Sequence, residues 1–316
     1  MIDTAFYLEP KTEMDVRWAY YDLLTQDING MDSGSAIPST SRDAFYGLLV
    51  RVPPISQQRA IAHVLGTLDD KIELNGRMNE TLEAMAGSIF KSWFVDFDPV
   101  HAKVNGAAAA VGCPKSVFDL FPQRFLPSKI GPIPKGWRVM SWGDVATLEY
   151  GRALRGYDEK RGRYRVYGPN GPIGWSDRYL CPHAGVVIGR KGAYRGVHFS
   201  PVPFYVIDTA FYVEPKLGLD WRWAYYTLLR IGINEMDSGS AIPSTSREDF
   251  YRIPVCMPPV PIMEAYGSMV RQLFAKVEQN ERMSAILAAI RDTLLPKLLS
   301  GEVRVKDTEK LVSAAT

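Results

Sequence analysis

The chain carries the same fifty-odd residues twice, 205 positions apart and without a gap. IDTAFYLEPK from Ile2 returns as IDTAFYVEPK from Ile207, RWAYY from Arg17 returns from Arg222, and MDSGSAIPSTSR from Met31 returns from Met236. About two-thirds of the positions from Ile2 to Pro54 are identical in the second copy, far above chance for a duplicated unit. A duplicated sequence is expected to form the same local structure twice, so the chain reads as two half-molecules.

Each copy leads into the same helical register. From Gln57 onward Ile61, Leu65, Leu68, Ile72, Leu82 and Ile89 recur at alternating four- and three-residue steps, the spacing of a coiled-coil seam. Tyr266, Val270, Leu273, Val277, Leu287 and Leu294 follow the same rhythm in the second copy. Each stretch predicts a helix of about 35 to 40 residues, or about 55 to 60 Å, which is long for a globular protein. Two seam positions are polar, Asn75 in IELNGRM and Asn280 in VEQNERM, and they are equivalent across the repeat. A buried seam asparagine fixes register and partner at a cost in stability, so both are candidate helix-pairing residues. Pro53, Pro54, Pro258 and Pro259 are expected to stop a preceding strand, because proline cannot donate to a sheet ladder.

Between the repeats lie two textures. From Asp96 to Pro134 the alanines at Ala107 to Ala110, several prolines and scattered aromatics read as a partly ordered connector. From PKGWRVMSWGDVATLEYG to about Pro259, short β-rich runs such as GVVIG and FYVIDTAFYVEP are broken by glycine and proline, so the fold class is α+β. Composition is that of an ordinary folded protein, with 46% hydrophobic and 23% charged residues. Three unpatterned cysteines, no secretory leader and no apolar run of membrane-spanning length make a cytoplasmic setting the expectation.

The formal net charge of +2 does not announce a polyanion partner, but the average conceals a patch. Residues 151–200 hold ten Lys and Arg against three Asp and Glu. Arg152, Arg155, Lys160, Arg161, Arg163 and Arg165 precede VYGPNGPIGW, while Arg190, Lys191 and Arg195 sit in IGRKGAYRG. Arginine outnumbers lysine, glycine loops carry the charges, and Tyr164, Tyr167, Tyr194 and Asn170 add stacking and hydrogen-bonding groups. That combination suits DNA phosphates and guanine edges better than a merely solvated face. SGSAIPSTSR supports two readings. Its hydroxyls, including Ser240 and Thr245, together with Arg247 or its counterpart Arg42, offer donors to phosphates; equally, the segment is a turn whose hydroxyls cap their own backbone.

Catalytic signatures are missing. There is no phosphate-binding GxxxxGK[ST], no glycine-rich cofactor fingerprint and no zinc-spaced His/Cys set. Cys181, His183 and His198 lack an evident fourth ligand, so no metal site is expected. Glu214-Pro-Lys216 and Glu9-Pro-Lys11 match a nuclease pattern only as short chance motifs, and are expected to end surface strands.

In order along the chain, PKGW, YGPNGPIGW, GRKGAYRG, SGSAIPSTSR, and prolines followed by a long helix resemble the specificity subunit of type I restriction-modification systems. IFKSWFVDFDPV from Ile89 and LLPKLLSGEVRV from Leu294 resemble the helix ends of that family. The resemblance implies globular target recognition domains of mixed short strands and helices, plus two conserved long helices forming an antiparallel coiled coil that sets the spacer length. It implies a non-catalytic subunit reading a bipartite site on double-stranded DNA and recruiting modification (methyltransferase) subunits and, through them, restriction/translocase subunits. S-adenosylmethionine, ATP and Mg2+ would belong to those partners, with no cofactor in this chain. Mapped here, residues 1–54 are the C-terminal remnant of a first recognition domain and 55–95 the first conserved helix. A connector spans 96–131, a complete second recognition domain 132–259, the second helix 260–300 and a tail 301–316. Met1 aligns with Val206, so about 75 residues of the family's first domain have no counterpart. Three expectations stand: a split subunit completed by an upstream half, a self-dimer, or an inactive gene remnant. A rival is a stand-alone DNA-binding or antirestriction-like interaction protein.

Overall fold

The computed structural model describes residues 6–28, 30–31, 40–158, 162–236 and 242–308. The helices are α1 (Val16–Leu24), α2 (Arg42–Tyr46), α3 (Ile55–Phe94), α4 (Asp98–Val104), α5 (Lys115–Phe118), α6 (Trp142–Val145), α7 (Trp221–Leu229), α8 (Arg247–Arg252) and α9 (Val260–Ser300). The strands are β1 (Phe125–Leu126), β2 (Ile133–Pro134), β3 (Arg138–Ser141), β4 (Ala146–Tyr150), β5 (Tyr164–Gly168), β6 (Gly171–Ser176), β7 (Gly185–Gly189), β8 (Val197–Ser200), β9 (Tyr205–Val206), β10 (Ala210–Pro215) and β11 (Pro254–Met257). They form two compact units, residues 1–82 with 275–316, and residues 83–274. The α+β expectation holds, and the two long helices of 40 and 41 residues are the elements the heptad rhythm predicts.

In the first unit, Asp15 caps α1, its side chain accepting from the Trp18 amide at 2.9 Å, while its own amide donates to Gln58 Oε1 on α3. Trp18 and Tyr21, one helical turn apart, are buried with Ile61, Ala62, Leu65 and Leu68 of α3 and Leu287, Leu295 and Leu298 of α9. The contacts Asp69 to Arg291 and Asn75 to Asn280 step in opposite directions along the two helices, which makes the pair antiparallel here.

The second unit begins its helical layer in the same way. Asp220 caps α7 and its amide contacts Met263 Sδ at 3.2 Å, Met263 being the repeat equivalent of Gln58. Here Tyr266 and Val270 of α9 and Ala86, Phe90, Trp93 and Phe94 of α3 share one core with Trp223 of α7. A four-stranded antiparallel sheet, ordered β4-β10-β7-β8, carries the domain. β7 is buried along its whole length: Val186 and Ile188 enter the main core, and Val187 faces a second cluster with Tyr167, Cys181, Phe204 and Val206. That double burial is why GVVIG is a continuous apolar run and not an alternating one. β3 pairs with β11, and the β5–β6 hairpin extends through β9, parallel to β5.

Two expectations change. The segment read as a partly ordered connector contains α4, α5 and β1, and it buries Val100, Phe118 and Phe121 in the domain core. Its aromatics supply enough apolar area to hold it. The strand expected before Pro53 is absent among the described residues, although its copy β11 forms before Pro258. Phe6 to Pro10 likewise form no strand, whereas the equivalent residues of β10 lie between β4 and β7. A strand needs a partner for its ladder, and in the second unit those partners come from residues 138–189. The exposures follow. Phe6, Leu8, Val50 and Val52 are 57%, 52%, 39% and 52% exposed; Phe211, Val213, Val255 and Met257 are 1%, 0%, 3% and 8%.

Candidate nucleic-acid interface

The two glycine-rich motifs and the hydroxyl-rich motif meet in the second unit. The YGPNG turn sits against the loop after β7, because the Gly196 amide donates to Pro169 O at 2.8 Å. Gly189 makes this approach possible: a Cβ there would lie 2.3 Å from Pro169 O. The same loop joins the segment before α8. Thr245 N donates to Arg190 O at 2.8 Å, Gly192 N to Pro243 O at 3.0 Å, and Lys191 pairs with Ser244 in an antiparallel bridge. Gly192, at φ +123°, takes a backbone conformation that L side chains rarely adopt.

Ring faces hold the cations of this junction. The Arg190 guanidinium lies 4.9 Å from the Tyr150 ring centre and donates to Asp208 O at 2.6 Å. Arg247 lies 5.0 Å from the same ring and donates to Tyr251 Oη at 3.0 Å, and this bonding raises its already high pKa. Two arginines thus share Tyr150. Beside them Lys191, Asn170 and Tyr194 are exposed, Tyr194 by 78%. On the hairpin, Arg165 stacks 4.1 Å from Trp175 and Arg163 lies 5.5 Å from Tyr164. Stacking on a ring restrains the long side chain while leaving guanidinium donors for a ligand. Arg152 and Arg155 are exposed in the loop after β4, whose backbone is fixed by Arg152 N donating to Val206 O.

Three predicted contact residues have other occupations. Arg195 is 4% exposed; its guanidinium donates to Met236 O at 3.0 Å and Asn234 O at 2.9 Å, so it braces a loop from inside. Thr245 is 4% exposed and its hydroxyl donates to Gly189 O, the capping alternative for that motif. Tyr167 packs against Phe204 in the second cluster, with its hydroxyl directed at Phe199 O. Lys160, Arg161 and Ser240 lie outside the described residues, as does most of the first SGSAIPSTSR copy. Sequence reasoning missed Tyr150, Trp175 and Tyr251 as ring platforms; the only available signal was aromatic residues near arginines in the final fold, which linear spacing does not give.

Asn75 and Asn280 are each 4% exposed. Asn75 Nδ2 donates to Ser284 Oγ at 3.1 Å, and Asn280 Nδ2 donates to Asn79 Oδ1 at 2.8 Å, so each polar seam residue finds a polar partner. Of the residues considered as metal ligands, Cys181 and His183 come together, and the third group beside them is Glu214 and not His198.

The family described as "Type I restriction modification DNA specificity domain" matches residues 3–84, and the copy 205 positions later repeats much of that stretch. The MjaIX specificity subunit of Methanocaldococcus jannaschii is 24% identical, over 94% of this chain and 71% of that protein. The HindI specificity subunit of Haemophilus influenzae is 21% identical, over 90% of this chain and 74% of that protein. Residues 3–84 thus match that DNA specificity domain, and the chain as a whole is similar to type I restriction enzyme specificity subunits. Specificity subunits are the non-catalytic DNA-recognition components of these systems. The fold agrees: a crystal structure of the S subunit from M. genitalium superposes with a TM-score of 0.56 at 19% identity, covering 90% of this chain and 73% of that one. No helix among the described residues is long and apolar enough to cross a membrane.

Proposed function

We propose that this chain reads half of a bipartite DNA site through the junction of the GRKGAYRG, YGPNG and SAIPSTSR segments, and that it scaffolds methyltransferase subunits and, through them, restriction subunits. The observation that carries the reading is the pairing of Lys191 with Ser244. It brings Arg190, Lys191 and Arg247 from distant sequence positions to one end of the β4-β10-β7-β8 sheet, where β4 and β7 finish. Arg190 and Arg247, propped on Tyr150, suit bidentate contact with guanine O6 and N7 or with phosphate; Lys191 suits phosphate alone. Arg163 and Arg165 extend the basic surface along the hairpin. The exposed apolar residues of the first unit, buried at equivalent positions in the second, support completion of the first recognition domain by a further polypeptide segment. S-adenosylmethionine, ATP and Mg2+ act on the partner subunits in this reading.

Methylome sequencing of cells with and without the gene tests it. A methylated bipartite motif that disappears with the gene is the expected result; an unchanged methylome together with DNA binding by the isolated chain would favour a stand-alone DNA-binding protein.

A further inference from the structure

We propose that Cys181, His183 and Glu214 form a divalent metal site of the zinc class, a three-ligand clip fastening the Cys181–Ala184 turn to β10. The three residues reach one point from two elements, the Cys181–Ala184 turn and β10. Cys181 is pinned beside Phe204 by a two-way backbone bridge, with its amide donating to Phe204 O at 3.0 Å and its carbonyl accepting from Phe204 N at 3.1 Å. His183 follows two residues later, and Glu214 comes from β10. One ligand atom from each lies within 4.8 Å of the others.

The imidazole is oriented as a ligand. His183 Nδ1 lies 2.8 Å from Ala184 O, so Nδ1 carries the proton and donates it, leaving the Nε2 lone pair free. Ligating histidines commonly have their second nitrogen held by a carbonyl in this way. The ring is also stacked on Trp221, with centres 5.3 Å apart and planes at 16°. Nε2 then faces Glu214 Oε2 at 3.3 Å, with Cys181 Sγ 3.9 Å away; that sulfur lies nearer Nδ1, at 3.4 Å, and its thiol donates to His183 O at 3.5 Å. A neutral nitrogen lone pair facing a carboxylate oxygen has nothing to share unless a cation lies between them. That cation is either a second proton on the ring or a metal ion.

The distances favour room for a metal. Zinc bonds of about 2.0 to 2.3 Å in a tetrahedron place N and O ligand atoms roughly 3.3 Å apart and N and S roughly 3.6 Å apart. Nε2 and Glu214 Oε2 already stand at that separation, while Cys181 Sγ, within 4.8 Å of the other ligand atoms, must move toward Nε2 as the metal enters. Thiolate plus imidazole plus carboxylate is a borderline-soft set that suits zinc above magnesium or calcium. Cys181 thiolate and Glu214 carboxylate would neutralise the dication. His183 and Glu214 are 38% and 32% exposed at the side chain, which leaves the fourth position to water. Burial pushes the Cys181 thiol up to about 12, so the metal must displace its proton and uptake releases one proton per ion.

The test uses the full chain, stripped with a chelator, reloaded with Zn2+ alone and dialysed, with bound metal counted by plasma mass spectrometry. The expected result is one equivalent per chain, falling to none in Cys181→Ser and in Glu214→Gln. Cobalt loading of the unsubstituted chain should give a thiolate-to-cobalt charge-transfer band that Cys181→Ser abolishes. Failure of the folded, unsubstituted chain to retain zinc, or equal retention by the variants, would overturn the proposal and leave His183 and Glu214 as a protonated ion pair. Circular dichroism of each variant confirms that loss of metal is not loss of fold.

Discussion

Arg190 and Arg195 are five residues apart in one glycine-rich loop, yet they do different work. Arg190 lies on an aromatic ring with donors to spare, and Arg195 is sealed beneath the loop on two carbonyl oxygens. Arg195→Ala would leave those carbonyls without their charged donor, so it should cost about 2 kcal/mol of stability, read from a urea melt. Lys191→Ala, at an exposed side chain, should shift the same melt by less than about 0.5 kcal/mol and instead weaken DNA binding. His198 gives a pH test. It lies opposite Val187 in the sheet, and burial lowers its pKa below the ordinary 6.5. The fold therefore prefers the neutral ring while the unfolded chain takes a proton. Stability is fully present above pH 6.5 and declines as pH falls through the lowered value. Asp70 and Asp144, held below 3.8 by hydrogen bonds from Arg17 and Ser141, lose their contributions only at more acidic pH, so the two effects separate. His198→Gln should flatten the stability profile between pH 6.5 and 5 in urea titrations.

At the level of elements, repeat-related positions provide matched experiments. Val50 and Val255 are the same residue at equivalent positions of the repeat, yet among the described residues only Val255 has β3 alongside it. Val255→Asp buries a carboxylate and should cost more than about 3 kcal/mol, whereas Val50→Asp should cost under about 1 kcal/mol. Equal costs in denaturant melts would mean that Val50 is covered in solution. The pair also shows what sequence can carry. The repeat set the expectation of equal local structure in both copies, which α1 and α7 with their Asp15 and Asp220 caps meet because capping is local; the strands expected before both proline pairs form only in the second copy among the described residues, since strand formation depends on partners far away in sequence. The seam asparagines were legible through helical periodicity. The meeting of Lys191 with Ser244, the burial of Arg195 and the approach of Glu214 to Cys181 were not, since each arises from tertiary packing that no spacing rule encodes. For the seam, replacing both Asn75 and Asn280 with Leu should raise the thermal midpoint and broaden the oligomer distribution in native mass spectrometry. An unchanged distribution would assign these residues to mere packing.

For the whole molecule, a net charge of +2 gives little long-range attraction to DNA, so binding must draw on the cations that the second unit concentrates locally. Each Lys or Arg on a phosphate releases condensed counterions, and the logarithm of the binding constant falls with the logarithm of salt by about 0.9 per contact. A base-reading arginine behaves differently: its loss costs about 1 to 3 kcal/mol on the cognate site and relaxes preference at one base pair. The two roles separate in a single series of anisotropy titrations on cognate and scrambled duplexes at several salt concentrations. Lys191→Ala should weaken both duplexes equally and flatten the slope by about one unit. Arg190→Ala should weaken the cognate duplex more, because its guanidinium is already held on Tyr150 and Asp208 and presents a fixed edge. Unchanged binding in a combined Arg163, Arg190, Lys191 and Arg247 alanine variant that still melts cooperatively would remove this surface from DNA recognition altogether.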